Sequence, residues 1–441
     1  MRFRTLWMFL IAVAGLFAGP SYHREIRPIL QKHCQACHQP ASKSAGLDLS
    51  TYAALLAGGS RGPAVVANQP DESLTVRYLT GAVQPQMPLG KPALAKEEID
   101  LIREWIRAGA LDDSPMEIAE RSPEVYSQPP VITALRFSPD GSKIAVSGNR
   151  EILVHEFDGS GLLQRLQGKA ERLLSIDFSR DGKLLIAGGG TPAQFGELQM
   201  WDLASGKLLR SATLTHDTLF GASLSPDASK VAVGCADNTV HVFETATGAE
   251  LYKIGNHENW VLGTVFGADS KRFVSVGRDG AAKLTDAASG AFLENINLLR
   301  GELSAIARHP AKDVVVIGGD DRYPYVYLMD RPRNMKIADD TTLVRRLERQ
   351  EGPITALDWS PDGKRIAVAA AAPKVNLYDA ETGDRLASCT GHAAGIYALS
   401  FSPDGSRLAT GGFDGKVRIY KAEDCSLLHE FIPVPLSGGS R

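Results

Sequence analysis

Residues 31–38 read QKHCQACH, so Cys34, Cys37 and His38 form a C-x-x-C-H motif. Two thiols at this spacing can each form a thioether with one vinyl group of a haem, and the adjacent histidine can then ligate the iron. A C-x-x-C pair alone also occurs in zinc sites and in redox disulfides. A structural zinc site needs a second pair of ligands, and the next cysteine is the distant Cys235. The motif therefore predicts covalent haem attachment, with a Cys34–Cys37 disulfide as the alternative.

The second axial ligand is expected from Met87, the first methionine after the motif. Pro88 follows it and biases its backbone towards an extended conformation, so the thioether is presented from a stiff loop. Methionine–histidine ligation suits low-spin haem iron and raises its potential. His38 and Met87 are the predicted iron ligands. His33 and Met116 are weaker candidates, and the alternative for Met87 is that it fills a gap in the core.

The elements that must position these residues are helices. Apolar residues lie at helical spacing in two segments, 25–33 and 96–108, and Gly109 follows the second segment as a stop signal. Two such helices packed against each other predict a small helical domain over residues 21–112.

This domain resembles the planctomycete-type cytochrome c family. The matching features are Cys34-Gln-Ala-Cys37-His38, Ser44-Ala-Gly46-Leu-Asp-Leu49, Leu55-Leu-Ala-Gly58-Gly59, Gly62-Pro63-Ala64-Val65-Val66, Pro70-Asp-Glu-Ser73-Leu74, Met87-Pro88, Glu98-Ile99 and Trp105-Ile106-Arg-Ala-Gly109-Ala110. The resemblance covers about residues 22–112 and implies one covalent haem c with histidine and methionine ligands, which carry over to His38 and Met87. A single proline after Met87, where such sequences often have two, is a small departure.

The rest of the chain repeats itself seven times. A turn motif recurs at Ser138-Pro139-Asp140-Gly141, Ser179-Arg-Asp181-Gly182, Ser225-Pro226-Asp227, Gly267-Ala-Asp269, His309-Pro310, Ser360-Pro361-Asp362-Gly363 and Ser402-Pro403-Asp404-Gly405. A second landmark follows each turn, at Phe157-Asp158, Trp201-Asp202, Phe243-Glu244, Thr285-Asp286, Met329-Asp330, Tyr378-Asp379 and Tyr420-Lys421. A period of about 40–45 residues with a W-D-like pair is typical of WD40 repeats, which residues 131–435 resemble.

A four-stranded unit cannot bury both of its faces alone, whereas seven units arranged radially can. The predicted fold is therefore multi-domain, a small all-α cytochrome c domain followed by an all-β seven-bladed WD40-like propeller. In the last unit, strands are predicted at 396–401, 407–411, 416–420 and 427–432. The sequence leaves the closure of the ring open.

Several polar and sulfur-containing residues of the repeats are interpreted as structural. His392, Thr410 and Asp414 match the hydrogen-bonded network of WD40 blades. The remaining residues are expected to pack in the interior: Cys235, Cys389, Cys425, His155, His241 and His309. A Cys389–Cys425 disulfide is the alternative for those two cysteines.

The first 18 residues predict a signal peptide. Arg2 and Arg4 precede an uncharged apolar run over residues 6–17, which is shorter than the ~20 residues of a membrane span. Export to the periplasm or beyond follows, and an uncleaved anchor or a buried helix is the alternative. Residues 113–130 are polar and rich in proline and predict a linker.

The composition restricts the function further. With 48 basic and 51 acidic residues the net charge is −3, which gives no general field for nucleic acid or an anionic membrane. Membrane association is expected only through an uncleaved signal. No Ser/His/Asp set, phosphate loop or metal-ligand cluster emerges from the sequence, so no catalytic residue is assigned.

The combined features favour an exported c-type cytochrome that transfers electrons through one haem. Its propeller loops are expected to dock a redox partner or a protein assembly. The alternative is a periplasmic oxidoreductase whose propeller holds a separate active site or a second cofactor fed by the haem.

Overall fold

The computed structural model describes residues 19–39, 44–112, 122–298, 300–329 and 339–437. The chain divides into two compact units, Met1–Glu117 and Ile118–Arg441. The predicted signal peptide over residues 1–18 and Met116 lie outside the described residues. Within the described part of the chain, no helix is long and apolar enough to cross a membrane.

The first unit is helical, and both helices expected from the apolar spacing form. A π-helical turn, Tyr22–Ile26, leads directly into the first α-helix, and a short 3-10 turn, Ser44–Gly46, follows the C-x-x-C-H motif. The α-helices are α1 (Arg27–His33), α2 (Tyr52–Ala57), α3 (Leu74–Leu79) and α4 (Lys96–Arg107).

Trp105 on α4 organises the core of this unit. Its ring lies 5.4 Å from the ring of Tyr22 and 6.4 Å from that of Tyr52, measured between centroids. Its Nε1 donates a hydrogen bond of 2.9 Å to the carbonyl of Leu111, so the buried indole has a polar partner. This aromatic cluster fixes α4 against the amino-terminal helical segment.

The described part of the second unit contains strands and no helix, and its first sheet has seven strands in chain order. They are β1 (Leu135–Phe137), β2 (Lys143–Ser147), β3 (Asn149–Glu156), β4 (Leu162–Phe178), β5 (Leu184–Thr191), β6 (Phe195–Asp202) and β7 (Lys207–Thr215). The first half of β4 pairs with β3, where Leu166 lies opposite Ile152, and its second half pairs with β5, where Ile176 lies opposite Ala187. This sheet therefore consists of two four-stranded units that share one long strand.

Five antiparallel four-stranded sheets follow. Their strands are β8 (Leu219–Leu224), β9 (Lys230–Cys235), β10 (Val240–Glu244) and β11 (Glu250–Ile254); β12 (Val261–Phe266), β13 (Arg272–Gly277), β14 (Ala282–Asp286) and β15 (Phe292–Asn295); β16 (Leu303–Arg308), β17 (Val314–Gly319), β18 (Tyr325–Leu328) and β19 (Leu343–Arg346); β20 (Ile354–Trp359), β21 (Arg365–Ala370), β22 (Lys374–Asp379) and β23 (Arg385–Thr390); β24 (Ile396–Phe401), β25 (Arg407–Gly412), β26 (Val417–Lys421) and β27 (Leu427–Phe431). The strands predicted for the last unit form, with ends that differ by no more than one residue.

The first strands of successive sheets are tied to one another by polar contacts. Asp177 on β4 accepts a hydrogen bond of 3.0 Å from the backbone N–H of Leu224 on β8. Asp358 on β20 accepts one of 2.9 Å from the backbone N–H of Phe401 on β24. These two contacts each bond a strand to the backbone of the next sheet.

The last sheet packs against the first. The backbone N–H of Phe137 on β1 donates 3.3 Å to the hydroxyl of Ser400 on β24. Ile132 and Phe137 share one apolar cluster with Ala398 and Ile419 of the last sheet. The fourth strand of that sheet, β27, comes from the carboxyl end of the chain.

The recurring serine–aspartate turn has a defined local structure. In the last sheet, the Ser402 hydroxyl donates to the Asp404 carboxylate, which also accepts the backbone N–H of Ser406 at 3.0 Å. The Ser402 hydrogen bond, followed by that of Ser406, lowers the pKa of Asp404 to about 2. Hydrogen bonds from the corresponding serine also lower the pKa values of three other turn residues, Asp140, Asp181 and Asp362.

A disulfide joins two neighbouring sheets. Cys389 on β23 is bonded to Cys425, which lies in the turn between β26 and β27. The expectation that these cysteines only fill space was wrong, and the alternative is the observed structure. The sequence could not show it, because the two cysteines approach only through packing of separate repeats. Cys235 is free and buried.

The turn aspartates predict a loss of stability in acid. Because the folded-state pKa of Asp404 is about 2 and the unfolded value is near ~3.9, its contribution exists above about pH 4 and is lost as the pH falls towards 2. We expect Asp404→Asn to lower the melting temperature of the β-rich unit at pH 7 and to have little effect near about pH 2. The effect should be at most ~1 kcal/mol, because this turn is solvent-exposed. An identical difference between variant and wild type at both pH values, measured by circular dichroism, would contradict the assignment.

The disulfide closes a chain segment with a sequence separation of 36 residues. We expect the double variant Cys389→Ala/Cys425→Ser to lower the free energy of unfolding by about 3–4 kcal/mol, from the loop-entropy estimate. Urea melts of the oxidised and reduced protein provide the measurement. Reductant should destabilise the wild type and leave the double variant unchanged, and equal sensitivity of both proteins would refute the bond.

Candidate haem site

All four residues predicted to hold a haem lie together. A cavity of about 250 Å³ in the helical unit is lined by Cys34, Cys37, His38 and Met87. The cysteines and the histidine come from the end of α1 and the turn after it, whereas Met87 comes from the loop between α3 and α4. The fold therefore brings two distant sequence segments to one site.

The motif is positioned by the end of α1. The backbone N–H of Cys34 donates 2.9 Å to the carbonyl of Leu30, and that of His38 donates 3.2 Å to the carbonyl of Cys34. The carbonyl of His38 in turn accepts the N–H of Leu49 at 2.9 Å. The motif thus forms one more turn at the helix end, anchored to the following segment.

Cys34 and Cys37 are not bonded to each other, so the predicted alternative of a disulfide does not form here. Burial raises the pKa of the Cys34 thiol to about 11. A reactive redox cysteine needs a lowered pKa, because the thiolate is the nucleophile. The pKa shift of Cys34 is therefore opposite in direction to the one that activates a redox thiol.

The side chain of His38 is free to bind a ligand. Its Nδ1 atom is buried and has no hydrogen-bond partner among the described residues. His33 also lines the cavity, but its Nε2 lies 3.2 Å from Oε1 of Glu98 on α4. Of these two histidines, His38 is the one that protein contacts leave available.

Met87 is held at the cavity by its backbone. Its N–H donates 3.0 Å to the carbonyl of Tyr78, just before the end of α3. The side chain is half-buried and packs against the apolar core of the helical unit. This position is compatible with both sequence interpretations, an iron ligand and a residue that fills the core.

The cavity wall combines apolar side chains with two cations. Leu49, Leu74 and Leu79 contribute apolar surface, and Arg61 and Lys91 contribute positive charge. No carboxylate lines the cavity among the described residues. Such a wall fits a flat apolar ring with carboxylate substituents, which is the chemical character of haem.

Arg61 is presented by a glycine turn. The N–H of Gly59 donates 3.2 Å to the carbonyl of Gly62. Gly58 has a φ of +72°, and a Cβ atom there would lie 2.6 Å from that same carbonyl oxygen. Arg61 then donates 2.8 Å to the Tyr78 hydroxyl. The sequence analysis missed Arg61 and Lys91, because isolated surface-type cations carry no motif.

A second cavity, of about 400 Å³, lies among the first strands of the sheets. Arg136 lies 3.6 Å from Asp177 and 3.6 Å from Asp358 in its wall. Both carboxylates also accept backbone N–H groups of neighbouring strands, as described above. The ion pairs and hydrogen bonds of Arg136, Asp177 and Asp358 therefore connect neighbouring strands, and we interpret these three residues as structural.

One sheet contains a Ser/His/Asp arrangement that the sequence analysis did not find. His257 lies 2.9 Å from Asp279 through Nδ1 and 2.8 Å from Ser275 through Nε2. The imidazole side chain is fully buried, so no substrate reaches it. We interpret this set as a structural hydrogen-bond link between the loop that precedes β12 and the turn between β13 and β14, and we call such a link a clip.

The last sheet supports that interpretation. His392 lies 3.2 Å from Asp414 through Nδ1 and 2.8 Å from Thr410 through Nε2. This is the network predicted from the sequence, and it has the same geometry with threonine in place of serine. The packing role predicted for His155 fits its buried ring and its 2.8 Å contact with the carbonyl of Pro433.

Comparison with known families matches both units. The family model described as Planctomycete cytochrome C matches residues 34–88. The model described as WD domain, G-beta repeat matches residues 207–244 and 383–421, and the Anaphase-promoting complex subunit 4 WD40 domain matches residues 341–398. A cytochrome c-like domain and WD40 repeats are therefore present in one chain, as the motifs predicted.

Similar curated proteins share part of the chain. Transcription factor unc-37 of Caenorhabditis elegans is 31% identical over 179 residues, which are 39% of this chain and 28% of that protein. Protein groucho of Drosophila melanogaster is 26% identical over 247 residues, which are 55% of this chain and 31% of that protein. The chain spans less than a third of the length of either relative.

Proposed function

We propose that this chain, in which a planctomycete cytochrome c domain precedes WD40 repeats, is an exported c-type cytochrome that transfers electrons through one covalent haem c. The observation that carries the proposal is the single cavity lined by Cys34, Cys37, His38 and Met87. Residues of the right chemical types meet there with an apolar wall and two cations.

Each of these residues has a distinct role. The thiols of Cys34 and Cys37 would each add across one vinyl group, with a carbon–sulfur bond formed and the thiol proton transferred to carbon. His38 and Met87 would hold the iron, and Arg61 and Lys91 would pair with the carboxylate substituents. The bound group supplies an iron that cycles between two oxidation states. With His38 and Met87 both used as iron ligands, the group would serve electron transfer rather than substrate binding.

Electrons reach such a group through an exposed edge. Cys37 is exposed, and Leu89, which lines the same cavity, is 69% exposed. An exposed apolar side chain next to a redox centre provides a contact for a partner protein.

Export is part of the proposal. The signal-like residues 1–18 direct the chain to the periplasm or another exported location. The Cys389–Cys425 disulfide supports this, because disulfides persist in oxidising compartments and are rare in the cytosol.

The WD40 repeats form a closed propeller of seven four-stranded blades in this proposal. Support comes from the two units that share β4, from the five four-stranded sheets after them and from the packing of the last sheet on the first. The loops of such a ring dock a redox partner or a protein assembly. WD40 repeats are widely used surfaces for protein contacts, and a net charge of −3 argues against nucleic acid.

The mass of the exported protein tests covalent attachment. We expect a chain without residues 1–18 and with the mass of one haem added, after expression with a haem-maturation system. Cys34→Ala/Cys37→Ala should abolish the added mass, whereas the control Cys235→Ala should retain it. An unmodified wild-type mass would sink the redox function.

Replacement of Met87 tests the axial ligand. We expect Met87→Ala to lose the low-spin spectrum and to lower the midpoint potential, because the thioether raises that potential. Met87→His should restore a low-spin spectrum at a lower potential than that of the wild type. His33→Gln is the matched control and should leave the spectrum unchanged. A wild-type spectrum in the Met87→Ala protein would show that another residue ligates the iron.

A further inference from the structure

A second group of chemically suited side chains lies around the turn between β9 and β10. Cys235 ends β9, Asp237 lies in the turn and His241 is on β10, with the spacing C-x-D-x-x-x-H. The turn is tight, because the N–H of Cys235 donates 3.0 Å to the carbonyl of Thr239, and Asn238 has a φ of 68°. The backbone therefore holds the three residues close together.

The strand register places two of them on one face. His241 lies opposite Val233 in the antiparallel pair, and Cys235 is two residues beyond Val233. Alternate residues share a face, so Cys235 and His241 project to the same side of the sheet. The Cys235 sulfur, an Asp237 carboxylate oxygen and a ring nitrogen of His241 all lie within 4.8 Å of one another.

The imidazole of His241 provides an independent observation. Its side chain is only 5% exposed, and its Nδ1 lies 3.0 Å from Oε1 of Glu250. Its Nε2 is buried and has no hydrogen-bond partner among the residues that the structure describes. A histidine held through one nitrogen by a carboxylate, with the other nitrogen available, has the arrangement of metal-ligating histidines.

The turn of Asp237 differs from the corresponding turns of two other sheets, in which the aspartate is part of a histidine clip. Asp279 and Asp414 occupy the corresponding turn in two other sheets, and each contacts a buried histidine from the preceding loop. In the sheet of Asp237, the histidine of that loop is His216, which is exposed. Asp237 instead lies 3.0 Å from the ammonium group of Lys253. Its other neighbours are the thiol of Cys235 and the imidazole of His241, which is not part of a clip.

We propose that Cys235, Asp237 and His241 bind a zinc ion, with a water molecule as the fourth ligand. Sulfur, imidazole and carboxylate donors together suit zinc, whereas calcium and magnesium prefer oxygen donors alone. The Cys235 thiol releases its proton to solvent as the sulfur–zinc bond forms. The side chain of Lys253, 46% exposed, turns towards solvent as the cation binds. The donor atoms must approach by about 1 Å to reach zinc-bond lengths.

The site goes beyond electron transfer and is independent of it. Its residues belong to the β-rich unit, and Cys235 takes part in the apolar cluster between two neighbouring sheets. A bound ion would connect β9, the turn and β10, and its water would reach the surface beside the exposed Asp237.

The test uses the full-length, haem-loaded protein after dialysis against a chelator. Isothermal titration with zinc chloride should show one site per chain with micromolar or tighter affinity, and elemental analysis should find one zinc beside one iron. Cys235→Ala and His241→Gln should each weaken binding by at least about 100-fold, and Glu250→Gln by about 10- to 100-fold. His216→Gln is the matched control and should bind zinc like the wild type.

Cys235→Ala and His241→Gln replace buried residues, so weaker binding could also come from misfolding. Asp237→Asn separates the two effects, because Asp237 is exposed. It should weaken binding at least about 10-fold with unchanged circular dichroism, and zinc should raise the melting temperature of the wild type more than that of this variant. Cys34→Ala/Cys37→Ala should bind zinc normally, which separates this site from the haem. Wild-type affinity weaker than millimolar, or undiminished affinity in Asp237→Asn or His241→Gln, would overturn the proposal.

Discussion

The helical unit depends on a cavity that its own side chains do not fill. Trp105, Tyr22 and Tyr52 build one compact aromatic centre, whereas on the side of the motif apolar leucines face a space of about 250 Å³. A domain of this size buries little apolar surface, so apolar side chains that face water lower its folding stability considerably. In the proposed function, a large apolar group attached through the two cysteines would remove that destabilisation and supply the redox chemistry. Stability and function would then rest on the same contact surface.

The β-rich unit has a different constraint. Each four-stranded sheet is apolar on both faces and can bury them only against neighbouring sheets. The polar residues of the first strands serve this packing, because Asp177 and Asp358 each bond to the backbone of the next sheet. The last contact of the series, between β24 and β1, joins residues that are far apart in the sequence. The disulfide between Cys389 and Cys425 adds a covalent link between the sheet that contains β23 and the last sheet.

The sequence was sufficient wherever the signal is local or periodic. The C-x-x-C-H motif, the two helices and the strands of the last repeat depend on short spacings, and they appear where expected. Met87 was singled out by the proline that follows it and by the family resemblance, and it lines the same cavity as the motif. Arg61, Lys91 and the Cys389–Cys425 bond were missed or given less weight, because each depends on contacts between segments that no spacing connects. The Ser275–His257–Asp279 set was also missed, although its sequence separations of 18 and 22 residues are those of the predicted His392–Thr410–Asp414 set, so a local signal for it was present.

The repeats also show how a structural position can acquire chemistry. The turn aspartate has the same place in each of three sheets, but its partner differs. Where the preceding loop supplies a buried histidine, as for Asp279 and Asp414, the carboxylate is used by a clip. Where that histidine is exposed, as for Asp237, the carboxylate remains beside a thiol and an imidazole with an unpaired nitrogen. The neighbouring sheets keep the backbone in place in both cases, so the loss of one clip does not require the loss of the fold. Because packing between sheets supplies the stability, the side chains of an individual turn can differ between repeats, and with them its chemical role.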